Sequence, residues 1–213
     1  MVGTCNGLIC LHEQDAGLGA GSLSAITVAN PVTGETQALP TLPAAWDPLR
    51  RLGLYAFGYH PTTGQYKVVH VPSRRAPRQD AVHVLTLGDP AAWREVVDLS
   101  RAPAAMGGSY NPCCGIVSVD GSVYWLASCA ERVMALDLED ESLASFHVPP
   151  TVVRPVGPVA KASWKLTSVH SRLGVTVAIT SPAGTTVVEV WFWTAAKAES
   201  RRGGAGATAS SRA

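Results

Sequence analysis

The feature that most constrains the fold of this chain is a strand–turn–strand pattern that occurs twice. Residues 57–71 read FGYHPTTGQYKVVHV, in which a Pro-Thr-Thr-Gly turn separates two apolar runs. Residues 29–40 read ANPVTGETQALP, with an equivalent Pro-Val-Thr-Gly turn. Proline fixes φ early in such a turn, and glycine accepts a positive φ near its end. The repetition indicates a chain assembled from small antiparallel units.

Similar strand signals continue along the rest of the chain. Short runs rich in Val, Ile, Thr, Tyr and Trp are bounded by Gly, Pro, Asn or Asp, and Asp120-Gly121 is a strong hairpin signal. Helical periodicity is nearly absent, and Pro40, Pro43 and Pro48 exclude a helix around them. We therefore predict strands at residues 8–11, 24–29, 52–59, 65–71, 81–87, 93–97, 116–119, 122–127, 132–138, 145–148, 166–169, 173–180 and 187–193.

The spacing of these units predicts an all-β fold, a partial β-propeller-like array of antiparallel blades of the kelch-like kind. The pattern recurs at intervals of roughly 40–50 residues, the length of a propeller blade, so residues 1–193 hold about four blades. A single blade cannot bury both of its faces, so the blades must stack, with most of the Trp and Tyr side chains between them. Residues 194–213 contain no Leu, Ile, Val or aromatic residue, and we predict a disordered tail there.

Composition excludes several classes of protein. A net charge of +1 with only 15% charged residues gives no surface for nucleic acid, and we interpret Arg74, Arg75 and Arg78 as a solvated loop. No signal peptide or membrane-spanning run is visible. Five cysteines without a disulfide or zinc spacing indicate buried thiols in the cytosol or nucleus, although the Cys113-Cys114 pair leaves a redox role open.

The known catalytic motifs are incomplete or absent. His12-Glu13 begins like a zinc-protease motif but lacks the second histidine, and residues 17–22 lack the Lys-Ser/Thr that ends a phosphate-binding loop. No G-x-S-x-G nucleophile motif occurs. Asp120 and Asp137 are typical of a turn and a strand end. We predict no catalytic, cofactor-binding or metal-binding residue, and a structural role for the histidines at 60, 70, 83 and 147.

Six stretches of the chain resemble motifs of the F-box-associated domain of plant F-box proteins, and they occur in the order typical of that family. This domain is a β-propeller-like module, and the resemblance is to its type 3. The six stretches are GTCNGLICL (3–11), NPVTGE with LP (30–35 and 39–40), FGYHPTTGQYKVV (57–69), VLTLGD with WR (84–89 and 93–94), VDGSVYWL (119–126) and VEVW (188–191). His60 stands where the family usually has Asp. No F-box-like helical segment is expected before the domain, and the chain ends where further strands are expected, so a truncated gene, an alternative transcript or a faulty gene model would each explain both ends.

The resemblance implies a non-catalytic protein-interaction module, similar to the substrate-binding part of an SCF ubiquitin-ligase receptor. Its partner would be an unknown target protein, with a Skp-type adaptor only where an F-box lies upstream, and neither nucleic acid nor a membrane. The alternatives are a truncated or non-functional product and a β-propeller enzyme. Candidate binding loops are Ala45–Arg51, Pro72–Asp80 and Arg101–Pro112. The sequence does not indicate which of them share a rim.

Overall fold

The computed structural model of the chain describes residues 1–13, 25–43, 53–72, 81–88, 92–98, 114–127, 132–148, 161–193 and 209–211. Within these ranges lie sixteen strands, β1 to β16. They form four antiparallel sheets of four strands, and each sheet takes its strands in chain order. The all-β, four-bladed architecture predicted from the sequence is thereby confirmed.

Sheet 1 contains β1 (Gly3–Cys5), β2 (Leu8–Glu13), β3 (Ala25–Ala29) and β4 (Thr36–Leu39). Sheet 2 contains β5 (Leu54–His60), β6 (Gln65–Val71), β7 (Ala81–Thr86) and β8 (Trp93–Asp98). Sheet 3 contains β9 (Ile116–Val119), β10 (Ser122–Leu126), β11 (Arg132–Asp137) and β12 (Leu143–His147). Sheet 4 contains β13 (Lys161–Val169), β14 (Arg172–Thr180), β15 (Thr186–Trp193) and β16 (Ala209–Ser211).

The strands that sequence reasoning missed carry little apolar signal. Strand β4 exposes three of its four residues and buries only Leu39, so its composition resembles a turn. Strand β13 begins at Lys161, five residues before the predicted start. The prediction missed this part because polar residues such as Lys161 and Ser163 interrupt the apolar pattern. Such strands are held by backbone pairing with a neighbour, which composition does not reveal.

The first strands of successive sheets lie side by side, since β1 contacts β5, β5 contacts β9, and β9 contacts β13. A Cβ at Gly3 would lie 3.6 Å from Phe57 Cβ, and the Tyr59 backbone hydrogen-bonds Cys5, so β1 and β5 run parallel. Likewise Gly58 lies against Ser118 and Gly121 lies against His60, so β5 and β9 run parallel. This serial contact of innermost strands is the arrangement of propeller blades.

Three apolar clusters fill the three seams between neighbouring sheets. Both faces of an interior sheet are therefore buried, which explains why consecutive residues of β6 and β7 are buried instead of every second one. We call these clusters seam 1–2, seam 2–3 and seam 3–4. Seam 1–2 buries Cys10, Ile26, Val28, Leu39, Leu42, Tyr55, Phe57, Val68, Leu85 and Trp93. Seam 2–3 buries Ala56, Val69, Val71, Val82, Val84, Val123, Trp125, Ala127, Met134, Leu136 and Leu138. Seam 3–4 buries Cys114, Leu126, Val133, Val148, Leu166, Leu173, Val175, Val177 and Trp193.

The fourth sheet receives its last strand from the segment predicted to be a disordered tail. Residues Ala209–Ser211 pair antiparallel with Trp191–Trp193 of β15. The free backbone groups of an edge strand accept almost any sequence as a partner, which explains pairing by a segment without large apolar residues. Residues 194–208 and 212–213 lie outside the described residues.

A separate observation concerns membranes. Across the part of the chain that the structure describes, no helix has the length and apolarity needed to cross a bilayer.

Candidate functional site

The array has two rims of different character. Connections alternate between the two ends of an antiparallel sheet, and the parallel β1, β5 and β9 bring equivalent ends of sheets 1 to 3 to the same rim. One rim, the turn rim, carries the short connections that follow odd-numbered strands, such as Asn6–Gly7 and Asp120–Gly121. The other, the loop rim, receives the strand ends joined by residues 14–24, 40–53, 72–80, 99–115 and 127–131.

The three binding loops predicted from sequence connect strand ends that lie at one rim. Ala45–Arg51 connects β4 to β5, Pro72–Asp80 connects β6 to β7, and Arg101–Pro112 connects β8 to β9, so all three leave strand ends at the loop rim. Apart from Pro72, which is buried, these loops lie outside the described residues. Strand topology thus supplies the grouping that the sequence could not give.

The tight geometry of the turn rim follows from its residues. Asp120 and Gly121 have φ values of 47° and 70°, as required for the two central positions of a type I′ hairpin. A Cβ at Gly121 would lie 2.6 Å from His60 Cδ2, so this turn is pressed against the end of β5 in the neighbouring sheet. The turn rim therefore serves to lock adjacent sheets together.

A buried ion-pair group crosses seam 2–3 at the turn rim. Lys67, which is 2% exposed, extends from β6 and donates from Nζ to the Leu138 carbonyl at 2.5 Å and to Glu141 Oε1 at 2.7 Å. Arg94 on β8 donates from Nε to Glu141 Oε2 at 3.2 Å, and its Nη2 also contacts Oε1. Lys67 and Arg94 belong to the Y-K-V-V and W-R motifs, and both close on one carboxylate of sheet 3.

The ionisation of Glu141 follows from these contacts. Burial alone would raise the pKa of Glu141, but the hydrogen bonds and charges of Lys67 and Arg94 outweigh it and hold the pKa below its usual range. The carboxylate therefore stays charged at neutral pH and satisfies two cations from the neighbouring sheet. This group has a structural role in joining two blades.

Close backbone contact at the same seam explains the glycine of the F-G-Y motif. A Cβ at Gly58 would lie 2.5 Å from Ser118 Oγ and 2.8 Å from Leu138 Cδ1. Only glycine lets β5 approach sheet 3 to this distance.

A second polar group lies beside the first one. His60 ends β5 and is 4% exposed, and its Nε2 lies 4.0 Å from Asp137 Oδ1 and 3.7 Å from Glu139 Oε2. The other ring nitrogen, Nδ1, accepts the Thr63 backbone N–H at 3.3 Å. The imidazole thereby takes the place of a carboxylate as the acceptor of this turn. The sequence predicted Asp137 at a strand end, which is confirmed, but did not predict this grouping.

Two other histidines lie in seam 1–2. His70 and His83 are paired across β6 and β7, with ring centroids 5.8 Å apart and exposed fractions of 0% and 2%. Tyr55 packs 4.8 Å from His70 and 4.5 Å from the ring of His12. These rings form part of the packed interior of seam 1–2.

The cysteines give no reactive site among the described residues. Cys10 and Cys114 are buried as predicted, whereas Cys5 is only half-buried. Burial raises the pKa of Cys10 to about 11, so its thiol stays protonated at neutral pH. The partner of the Cys113-Cys114 pair, Cys113, lies outside the described residues, as does Cys129.

The remaining sequence candidates do not converge on one place. His12 packs on Tyr55 while Glu13 is exposed at the end of β2. The glycine-rich residues 17–22 and the basic residues Arg74, Arg75 and Arg78 lie outside the described residues. Sequence reasoning missed the role of Lys67, Arg94 and Glu141. The available signal was a charged lysine that directly precedes the apolar residues Val68 and Val69 in one strand.

Comparison with known proteins agrees with this geometry. The sequence profile of a family described as "F-box associated beta propeller domain" matches residues 1–200. In Arabidopsis thaliana, "F-box/LRR-repeat protein At2g43260" is 29% identical over 204 residues, which cover 88% of this chain and 42% of that protein. "Putative F-box protein At1g26515" is 29% identical over 173 residues, covering 77% and 43%. This chain thus spans less than half of the length of these relatives.

Proposed function

The chain belongs to the F-box associated beta propeller family, and we propose that it is the target-binding module of an SCF-type ubiquitin-ligase receptor. Proteins with F-box names align with it along most of its length. The proposed partner is a target protein that the loop rim recognises. A Skp-type adaptor would join it only through an F-box, which is a separate segment.

The observation that carries this proposal is the contrast between the two rims. At the turn rim, Lys67, Arg94 and Gly58, which belong to the motifs that resemble the family, contact the neighbouring sheet and hold the two sheets together. At the loop rim, the strand ends are joined by the longer connections, including residues 40–53, 72–80 and 99–115. Recognition residues are commonly carried by loops that a rigid scaffold positions.

The same proposal includes the absence of catalysis and an intracellular location. Among the described residues, close pairs of titratable groups such as Lys67 and Glu141 join neighbouring sheets, which is a structural role. We propose that the module acts by binding alone, in the cytosol or nucleus, without nucleic acid or a membrane as a partner.

We further propose that residues 1–193 form the folded module and that residues 194–213 are a separate tail. Strand β15 ends at Trp193, the last large apolar residue of the chain. Ala209–Ser211 pair with Trp191–Trp193 of β15 at the edge of the fourth sheet.

The test is affinity capture from a plant extract with the whole chain and two matched variants. In the first, residues 73–80 of the loop rim are replaced by a Gly/Ser linker of equal length. In the second, the exposed turn-rim residues Pro31, Val32 and Thr33 are replaced by Gly and Ser. We expect specific partners to be retained by the second variant and lost by the first.

Melting temperatures of all three proteins establish that each one folds. Equal capture by the two variants would contradict binding at this part of the loop rim. Failure of the wild-type chain to retain any partner above a scrambled-loop control would contradict the binding module itself.

A further inference from the structure

We propose that the turn rim holds a site for one divalent cation of the Zn²⁺ class, bound by His60 Nε2 and by carboxylate oxygens of Asp137 and Glu139. His60 comes from sheet 2 and the two acids come from sheet 3. The cation would therefore bridge seam 2–3 beside the Lys67–Glu141 pair.

The three ligand atoms are already grouped. One atom from each residue lies within 4.8 Å of the others, and the two measured His60 contacts are 3.7 Å and 4.0 Å. Ligands of one tetrahedral zinc ion, bound at about 2.0–2.2 Å, lie roughly 3.4 Å apart. The ligand atoms must therefore move closer together on binding, and the Glu139 side chain, 43% exposed, has room to make the larger part of this movement.

The imidazole is oriented independently of the acids. It is buried against the Asp120–Gly121 turn, where Gly121 leaves no space for a side chain, and its Nε2 points at the carboxylates from beyond hydrogen-bonding distance. The His60 side chain is 6% exposed, and it places Nε2 between two carboxylates without a hydrogen bond to either, a position from which the nitrogen can coordinate a cation.

The second ring nitrogen has the partner that a metal-bound histidine requires. Thr63 Oγ1 lies 3.3 Å from His60 Nδ1, close enough to accept a hydrogen bond from it. Binding needs a tautomer shift, in which the proton moves from Nε2 to Nδ1 and leaves the Nε2 lone pair for the cation. The Thr63 backbone N–H then gives up its hydrogen bond to Nδ1, and Thr63 Oγ1 becomes the partner of that nitrogen. Outer hydrogen bonds of this kind fix the orientation of metal-binding imidazoles.

The donor set selects the class of cation. One imidazole nitrogen with two carboxylate oxygens suits Zn²⁺ or a related transition cation, whereas Mg²⁺ and Ca²⁺ prefer oxygen alone. Two carboxylates also balance the double positive charge. The sequence did not indicate this site because the strands β6 to β10 lie between His60 and the two acids along the chain, and the three residues have no metal-binding spacing.

The test is a competition titration of the tag-free full chain with Zn²⁺ and a metallochromic indicator. We expect one saturable equivalent, and no comparable binding of Mg²⁺. His60→Asn keeps a turn acceptor but removes the nitrogen ligand, and Glu139→Gln alters an exposed side chain that the fold does not need. Both changes should weaken binding at least about tenfold.

The matched control is His170→Asn. His170 is an exposed histidine in a left-handed turn, with φ of 49°, a conformation that asparagine accepts. We expect unchanged affinity. A Co²⁺ spectrum of the wild type should lack sulfur charge-transfer absorption. The proposal is overturned by absence of saturable binding, by equal affinity in the wild type and Glu139→Gln, or by a thiolate spectrum.

Discussion

Seam 2–3 and seam 3–4 join neighbouring sheets by different means. Seam 3–4 is closed by apolar side chains, including Leu166, Val175 and Trp193, with Phe146 in edge contact with Trp193 at 5.5 Å between ring centroids. Seam 2–3 has an apolar centre of similar kind, but its turn-rim end holds a buried lysine, a carboxylate and a buried histidine.

The difference indicates what each seam contributes. Apolar burial is non-directional and tolerates small shifts between sheets. A buried ion pair recovers its desolvation cost only in good geometry, so it adds little net stability but penalises any other alignment. Seam 2–3 therefore sets the register of its two sheets, and it does so with residues of the family motifs.

The largest expected effect belongs to the apolar seam. Leu166→Ala, at a residue 3% exposed, should lower the free energy of unfolding by about 3 kcal/mol because it opens a cavity between sheets 3 and 4. Urea denaturation measures this, and the loss should not depend on salt. Val169→Ala on the same strand, at a residue 41% exposed, is the control and should change little. Equal losses in the two variants would show that seam 3–4 is not packed as described.

The polar seam should respond to loss of its lysine. Lys67→Met should cost about 2–3 kcal/mol, because the Leu138 carbonyl and Glu141 lose a buried donor while Arg94 still pairs the carboxylate. Lys165→Met, at an exposed lysine of β13, is the matched control. A neutral or stabilising effect of Lys67→Met in urea denaturation would contradict the locking role.

Close contact at this seam predicts a smaller cost. Gly58→Ala should destabilise by about 1–2 kcal/mol, since the new methyl group overlaps Ser118 and Leu138. Gly3→Ala, also on an innermost strand, meets nothing closer than 3.6 Å and should be tolerated. Thermal melts of the two variants compare the seams directly. A lower melting temperature for Gly3→Ala than for Gly58→Ala would be the wrong order.

Acid should weaken seam 2–3 selectively. The pKa of Glu141 is lowered in the folded chain, so its contribution is present above the ordinary glutamate pKa of about 4.3 and is lost as pH falls through the folded value. The unfolding free energy should therefore fall less steeply below about pH 5 in Glu141→Gln than in the wild type. An identical pH dependence of the unfolding free energy in the two proteins would show that Glu141 does not contribute to the acid sensitivity of the seam.

The smallest effect should follow removal of the tail. A chain ending at Trp193 loses the short β16 and keeps all three seam clusters. Its melting temperature should stay close to that of the full chain. A large decrease would assign residues 194–213 to the folded module.

Much of the fold could be predicted because propensity, turn chemistry and periodicity agree. The β6 and β9 boundaries, 65–71 and 116–119, match the sequence reasoning, and the Asp120–Gly121 hairpin occurs as expected. Strand β4 was not predicted because three of its four residues are exposed. Strand β16 was not predicted because pairing at the edge of a sheet requires no apolar residue.

The contacts within the seams could not be predicted from the sequence, because they join residues that are far apart in the chain. Lys67 reads as a break in an apolar strand until Glu141 of the next sheet is placed beside it. The His60 group likewise depends on the parallel alignment of β5 with β9, which no local pattern specifies. The grouping of loops into one rim needed only the strand order, and correct strand boundaries would have supplied it.

The most direct test is a double-mutant cycle of Lys67→Met and Glu141→Gln, measured by urea denaturation. If the pair locks sheets 2 and 3, the two changes should be strongly non-additive, with a coupling free energy of about 1.5–3 kcal/mol. Additive effects, within about 0.5 kcal/mol, would show that Lys67 and Glu141 act independently and would contradict the ion-locked seam.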